Sequence, residues 1–585
     1  MRHFAEMIEQ RFRSTPLALA YKHKEKGAWV DYTWKEVGDL CGNIAAGLLS
    51  LGCRRGDRIA IWGATSLEWA LCDLAALRIG AVSLGVYPTL TADDAAYILD
   101  HAETRFLFVQ NQDYLDRIEA HLPGLSHLQE TMIWRGETPS QMNLADLSIK
   151  GAKYLASHPD CIAESAAGLK PEDAAIFIYT SGTTGRNKGA VLSHTNLIEQ
   201  ATCTDLFMGD QTTISFLPMA HVAERCCNHY YRIHSGAATA FVEEIEALPA
   251  ALKEVNPHYF GAVPRLYEKI FEKIAAGVEA APPKKQKIFR WAVELGKKVR
   301  ADGKGGLLDK LMLPIADGLV LRKIRGAFGK RCTTLISGAA PIDPELLRFF
   351  TATGMTMLEV YGLSESTGFA TMNLPDANRA GSIGKPIDCV QARIVDGEIQ
   401  LKGGVIFKGY HNDEEATAQS FTDEGWFKTG DAGRIDEEGY VWITGRLKNI
   451  IITAGAKNIM PTPIEIALCQ HPLIAQALVH GDRRKYLTTL IGLEEEQLAI
   501  WARNRGMESL EQARANPDLD TEIRAHVDKV NEGLASFETI KDFAFLSELM
   551  TVENSQLTPT MKVKRNVVEQ IYMPLLDSMY TGREA

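Results

Sequence analysis

Tyr179-Thr180-Ser181-Gly182-Thr183-Thr184-Gly185-Arg186-Asn187-Lys188-Gly189 sets four Ser/Thr hydroxyls, three glycines and two cations in one short loop. Glycine lets backbone amides approach a ligand closely. Successive amides form an anion-binding concavity, hydroxyls donate hydrogen bonds, and Arg186 and Lys188 add charge. These are the requirements of a polyphosphate. The loop lacks the Gly-Lys-Ser/Thr ending of a Walker A motif. Its flanks differ too: Ala174 to Tyr179 reads as a buried strand and Ala190-Val191-Leu192 as a second short strand. A helix is expected only after that, with Asn196 and Glu199 spaced as a capping pair. A strand–loop–strand unit of this kind encloses phosphate instead of offering a helix terminus.

The surrounding chain alternates helix and strand. Tyr32 to Leu51 is helical with a Thr33 cap, Arg58 to Trp62 is a strand, and Ser66 to Ile79 is helical. Ala81 to Val86, a helix over Asp93 to Glu103, and a strand over Phe106 to Val109 continue the pattern. This βαβ alternation predicts an α/β fold with parallel sheets covered by helices. From about Ala380 the texture becomes short strands and turns (Ala392 to Val395, Glu398 to Leu401, Gly439 to Thr444), and after Gly445 it is mixed α+β. The expected organisation is a large N-terminal domain over 1–445, with a small β subdomain over about 380–445, and a mobile C-terminal domain over 446–585. The weak point is Gly445 to Asn449.

At 585 residues the chain exceeds one ordinary domain. Its 46% hydrophobic and 23% charged content suits a globular enzyme. No apolar run reaches the roughly 20 residues of a membrane span, and Met1 to Glu6 reads as an amphipathic helix, not a secretory signal. Ten scattered cysteines without a CxxC pair indicate neither zinc nor a disulfide framework, so a cytoplasmic setting is expected. The net charge of −11 argues against nucleic acid as a partner. The basic stretch Lys284 to Arg331 breaks that trend. It reads first as a pair of solvated amphipathic helices, with a surface for anionic lipid or CoA phosphates, and hence a peripheral membrane contact, as the alternative.

Five further segments accompany the loop. Ser337-Gly338-Ala339-Ala340-Pro341 is a small-residue turn against which a flat base can lie. Tyr361-Gly362-Leu363-Ser364-Glu365 offers an aromatic face and a carboxylate. Trp426 to Asp431 ends in an acid suited to two ribose hydroxyls, Gly445-Arg446-Leu447-Lys448 follows, and Leu557 to Arg565 carries Lys562 and Lys564. Each alone is a weak signal; their joint occurrence in this order is not.

The ordered set resembles the adenylate-forming superfamily of acyl-CoA synthetases, nonribosomal adenylation domains and beetle-type luciferases, from about residue 10 to 570. Pro218 to Arg225, Gly261 to Lys269, Phe289-Arg290-Trp291-Ala292 and Leu321 to Arg325 make it most like a bacterial long-chain fatty-acid–CoA ligase. The resemblance implies ATP, Mg²⁺ and coenzyme A as cofactors and a long-chain fatty acid as substrate. It places Thr180, Ser181, Gly182, Thr183, Thr184, Gly185 and Lys188 around the β- and γ-phosphates. Ser337 to Pro341 with Tyr361 and Gly362 would hold adenine, Ser364 the α-phosphate, and Asp431 and Arg446 the ribose. Glu365, with Thr184, would bind the metal. Lys562 would bridge the carboxylate and the α-phosphate, Lys448 would be the hinge, and Gly455 and Lys457 would meet CoA. His221, assigned to catalysis and as a gate, joins Tyr259, Phe260 and Val263 as candidates for the acyl pocket. Asn187 stands where the loop commonly has proline, and Met561 where many relatives have glycine. The acid's chain length, CoA against a carrier-protein thiol or another carboxylic acid, the oligomeric state, and Lys562 against Lys564 stay open at this level.

Overall fold

The computed structural model describes residues 1–136, 141–180, 186–558 and 562–581. They form two compact units. The first comprises Met1–Arg393, Gln400–Lys428 and Ile435–Trp442, the second Ile394–Ile399, Thr429–Arg434 and the chain from Ile443 onward.

The first unit is built on an eight-stranded sheet. Its order is Gly409–Tyr410, Lys188–Ser193, Ala174–Thr180, Val82–Val86, Arg58–Trp62, Thr104–Val109, Glu130–Ile133 and Met142–Asn143. The pairings from Ala174–Thr180 through to Met142–Asn143 are parallel. Ile59, Ala60, Ile61 and Trp62 are all fully buried, as expected of a parallel strand covered on both faces. Helices connect the strands where the periodicity placed them: Trp34–Ser50, Leu67–Arg78 and Ala92–His101. The first is closed by a reciprocal cap. The Thr33 hydroxyl accepts from the Glu36 amide at 3.3 Å, and the Glu36 carboxylate accepts from the Thr33 amide at 2.7 Å.

A second sheet runs Tyr259–Ala262, Thr334–Ser337, Thr356–Leu363, Gly368–Met372, Lys385–Pro386. Its first three strands are parallel and the rest antiparallel. A third, Thr212–Ser215, Ala238–Phe241, Leu19–Glu25, Ala28–Thr33, draws the N-terminal hairpin against strands some two hundred residues away.

The short strands after residue 380 form a four-stranded sheet of Val390–Val395, Glu398–Gly403, Phe427–Ile435 and Val441–Arg446. The nine-residue strand Phe427–Ile435 was not expected. The region read as one β subdomain is divided, because the chain passes between the units within these strands. The last strand runs through Arg446, and Leu447–Asn449 is a single 3₁₀ turn. In the second unit, Ile474–His480, Leu487–Leu493 and Ile540–Phe545 make a three-stranded sheet. Its core includes Ile464, Leu468, Ile491, Leu498 and Ile523 from strands and helices alike, the α+β texture the sequence suggested.

Candidate active site

The Tyr179–Gly189 stretch is the connection of an antiparallel hairpin, with Thr180 opposite Lys188 and Ile178 opposite Ala190. Ser181, Gly182, Thr183, Thr184 and Gly185 lie outside the described residues. The helix that follows, His194–Ala201, is capped one turn earlier than expected. Ser193 accepts from the Asn196 amide at 3.2 Å, and Asn196 accepts from the Ser193 amide at 2.8 Å. Asn196 is therefore the third residue of a capping box, and the pair is Ser193/Asn196, not Asn196/Glu199.

The flanks of the loop are held by side chains from elsewhere in the first unit. Arg186 lies over the Tyr97 ring at 5.1 Å, and the Tyr97 hydroxyl donates to the Asn187 carbonyl at 3.2 Å. Lys188 pairs with Asp413 at 2.9 Å and sits 5.5 Å from the centre of the Tyr410 ring. The Tyr410 hydroxyl in turn donates to the Glu365 carboxylate at 2.7 Å. Two residues 177 positions apart in sequence, the loop lysine and Glu365, are thus joined through Tyr410 and Asp413. Burial, and then the Glu365 charge, push the Tyr410 hydroxyl far above its usual range, so it remains a donor. The Ala416 amide, then Lys188, hold Asp413 below the usual carboxylate range. Neither Tyr410 nor Asp413 was foreseen. The signal was Gly409-Tyr410 followed by Asp413, a glycine–aromatic strand that pairs with the second strand of the hairpin.

Glu365 follows Tyr361-Gly362-Leu363-Ser364 on a bend where side-chain space is scarce. A Cβ on Gly362 would lie 1.4 Å from the Gly368 carbonyl oxygen, so no other residue fits there. Tyr361 is buried within its strand, opposite Thr371. Ser337 is buried at the end of its strand, Gly338 is half-buried, and Ala339, Ala340 and Pro341 are exposed beyond it. Ala339 adopts a left-handed φ of 69°.

Beside these segments lies an apolar cavity of about 870 Å³ with its open mouth included. Gly338, Ala339 and Gly362 contribute to its wall, as do His221, Phe207, Tyr259, Gly261 and Val263. Phe207 and Tyr259 stack at 3.9 Å. Phe260 does not belong to this wall. Side chains alternate along a strand, and Phe260 faces the opposite side, fully buried among Phe216, Tyr267 and Phe328. His221 does line the cavity, and its Nδ1 accepts from the Ala223 amide at 3.1 Å, capping the segment that follows.

That segment passes through a wide π turn, Arg225–Tyr230. Val222, Ala223, Cys227, Asn228 and Tyr231 line the cavity, while Glu224, Arg225 and Tyr230 turn into a buried polar network. Arg225 pairs with Asp73, both side chains fully buried. Tyr230 accepts from Arg225 at 2.8 Å and donates to Asp73 at 2.9 Å. Glu224 accepts from Ser215 at 2.6 Å and pairs with Arg232. Unpaired charges here would be costly; paired, they hold one wall of the cavity rigid.

In the second unit Asp431 is buried and pairs with Arg446 at 2.8 Å, and Arg446 also donates to the Thr429 carbonyl at 3.2 Å. Lys448 is exposed on the turn that follows. Gly455 and Lys457 lie in the tight connection between Ile451–Ile452 and Asn458–Ile459, closed by the Thr453 amide donating to the Lys457 carbonyl at 3.0 Å. Lys562 is exposed at a turn closed in both directions. The Thr558 amide donates to the Lys562 carbonyl at 2.8 Å, and the Lys562 amide to the Thr558 hydroxyl at 3.1 Å. Lys564 is half-buried and immediately precedes the helix Arg565–Ser578, with no side-chain capping bond.

Residues 8–411 match the family described as AMP-binding enzyme, and residues 448–584 match the AMP-binding enzyme C-terminal domain. The chain is 35% identical to the long-chain-fatty-acid–CoA ligase FadD15 of Mycobacterium bovis, covering 98% of this chain and 96% of the relative. It is 32% identical to the long-chain-fatty-acid–CoA ligase ACSBG2 of Homo sapiens, covering 99% and 91%. Among solved structures it resembles the anthranilate CoA ligase AuaEII in complex with anthranoyl-AMP (TM-score 0.74, 19% identity, 98% of both chains). It also resembles the adenylation domain of a carboxylate reductase from Mycobacterium chelonae (TM-score 0.76, 22% identity, 99% and 91%). These two show the fold alone.

Proposed function

This chain belongs to the AMP-binding enzyme family, and from that premise we propose that it ligates a long-chain fatty acid to coenzyme A through an acyl-adenylate, releasing AMP and pyrophosphate. The observation that carries the substrate class is the apolar cavity, whose wall runs from Phe207, Tyr259, Gly261 and Val263 to Gly338, Ala339 and Gly362, which are among the proposed adenine-binding residues. Relatives named as long-chain-fatty-acid–CoA ligases over nearly the full length support the same reading.

A carboxylate and ATP repel one another, so the first step is a problem of positioning and charge. Thr180 to Lys188 enclose the β- and γ-phosphates, with Asp413 and Tyr410 fixing the lysine. Ser337 to Pro341 and Tyr361 receive adenine, Ser364 the α-phosphate, and Asp431 with Arg446 the ribose. Lys562 supplies the charge that lets the fatty carboxylate meet the α-phosphate. Its exposed place on a closed turn supports this reading, with the half-buried Lys564 two residues on as the alternative. Mg²⁺ suits Glu365: a single carboxylate, steadied on one side by Tyr410, leaves room for phosphate oxygens and water, the ligands this ion prefers. When bound, the ion neutralises charge on the departing pyrophosphate. The second step needs a thiol at the same carbonyl, for which the small domain turns about Lys448 and brings Gly455 and Lys457 to CoA. His221, which lines the cavity, serves as a gate to the acyl pocket. The setting is cytoplasmic.

The test is pyrophosphate release across acids of increasing chain length, with and without CoA. Rates that climb with length and AMP release that requires CoA support the reading. CoA-independent turnover with a carrier-protein thiol would replace the acceptor. Lys562→Ala is expected to lower acyl-adenylate formation by about 10²–10³-fold, with Lys564→Ala near wild type; the reverse order would reassign the bridging lysine.

A further inference from the structure

Between Lys284 and Arg331 fourteen basic residues stand against four acids, in a chain whose net charge is −11. Within this stretch the helix Leu307–Ala316 is amphipathic in the wrong sense for water. Leu307, Leu308, Leu311, Met312 and Ile315 are 79, 77, 64, 43 and 51% exposed, and Leu319 just beyond is 48% exposed. Leu308, Leu311, Met312, Ile315 and Leu319 recur at the spacing of a single helix face. That face looks outward, where a helix in water carries its polar side. The acids look inward instead. Asp309 pairs with Lys298 at 2.6 Å, and Asp317 with Arg300 and Arg325 at 3.1 and 2.7 Å. With these carboxylates paired on the protein side, Lys310 on the helix and Arg322 and Lys323 just beyond it are exposed. The expected pair of solvated amphipathic helices is corrected here: the outward face of this one is greasy and rimmed with cations.

Two kinds of partner take apolar surface, and the composition separates them. Protein interfaces concentrate aromatic residues and exclude lysine from their centres. This stripe is aliphatic throughout, and Lys310 is exposed on the same helix to one side of it. Aliphatic side chains with lysines that can extend past them are what an interfacial helix presents to acyl chains and anionic headgroups. The helix that packs against it, Pro283–Gly296, also exposes Trp291, Ile288, Lys284, Lys285 and Lys287. We propose that Leu307–Leu319 is a docking surface for a membrane leaflet carrying anionic lipid, with the leucine stripe entering the acyl boundary and the lysines and Arg322 meeting headgroup phosphates. Collection of a bilayer-dissolved acid is a consequence that rests on the proposed substrate; the docking surface itself does not.

The experiment uses the full chain without ATP or CoA, so it is independent of the ligase reading. Sedimentation is measured with vesicles of phosphatidylcholine alone and with about a third phosphatidylglycerol, at low and high salt. Binding to the anionic vesicles at low salt, weakened by salt and by neutral lipid, is expected. Leu311→Glu with Ile315→Glu is expected to reduce it by roughly tenfold or more, since two acyl-boundary contacts become repelled charges. Both positions are exposed, and an unchanged melting temperature confirms folding. A second readout needs no charge variant: in a Cys469→Ser background, an environment-sensitive fluorophore at Leu308→Cys should shift to the blue with anionic vesicles, and one at Leu17→Cys should not. Equal sedimentation of variant and wild type, a silent probe at 308, or equal binding to neutral vesicles overturns the proposal. So does a lipid-free dimer in which the probe at 308 is already buried, which would make the stripe a self-association face.

Discussion

Replacing Gly261 with leucine is expected to shorten the acyl chain the enzyme accepts while leaving its adenylating groups intact. Gly261 sits in the strand Tyr259–Ala262 and lines the cavity. A Cβ built there meets only Ile336 Cβ at 3.8 Å and Asn228 Oδ1 at 4.0 Å, ordinary van der Waals contact. A β-carbon is therefore accommodated on the face of the strand that lines the cavity. Leucine brings four carbons and displaces about as many methylenes of substrate. At roughly 0.8 kcal/mol each this is a loss of about 3 kcal/mol, near 200-fold in kcat/KM for the longest acids. Acids short enough to stop before Gly261 keep their rate. The assay is pyrophosphate release over saturated acids of graded length, with Gly261→Ala as the control that should change little. A uniform fall at every length, or an unchanged profile in a variant with wild-type melting temperature, would show that the acyl chain does not run past this strand.

Tyr410→Phe removes a 2.7 Å hydrogen bond to Glu365 while keeping the ring beside Lys188. A bond to a charged group is worth about 1.5–3 kcal/mol, so adenylation is expected to slow by roughly tenfold or more with a raised Mg²⁺ requirement, read by titrating the metal; an unchanged metal dependence would separate Glu365 from ion binding. Glu359 is buried, accepting from the Gly381 amide at 2.6 Å, and burial raises its carboxyl from 4.5 to about 7. A raised carboxyl means the folded state holds the proton longer. Its contribution is therefore full below the unfolded value and lost as pH rises through 7, by roughly 3 kcal/mol. Glu359→Gln should raise the melting temperature of the first unit at pH 8 and leave it nearly unchanged at pH 4.5; the same shift at both pH values would refute this account.

The candidate site could be proposed from sequence because its groups travel in short contiguous runs. A stretch rich in hydroxyls, glycines and cations needs no tertiary knowledge to be read, and strand periodicity marked Ala174 to Tyr179 and Ala190 to Leu192 on either side of it, within the observed strands Ala174–Thr180 and Lys188–Ser193. The Thr33 cap was equally local. The errors were also local in kind. The cap was placed at Asn196, whereas Ser193 both ends the strand and caps the helix. Phe260 was grouped with Tyr259, although neighbours in a strand face opposite ways and only the sheet's surroundings say which way is the cavity.

The sequence by itself determined the α/β class, the paired strands that flank the hydroxyl-rich stretch and the order of the adenylate-forming segments, because each is written in residues adjacent along the chain. Only the tertiary structure decided that Tyr410 and Asp413 tie Lys188 to Glu365, that one side of the Arg225 turn is cavity and the other a buried ion pair, and that the leucines of the Leu307–Ala316 helix face out. Those outcomes depend on which distant surfaces pack together. A helix's periodicity gives its stripe, but its neighbours choose whether that stripe is buried.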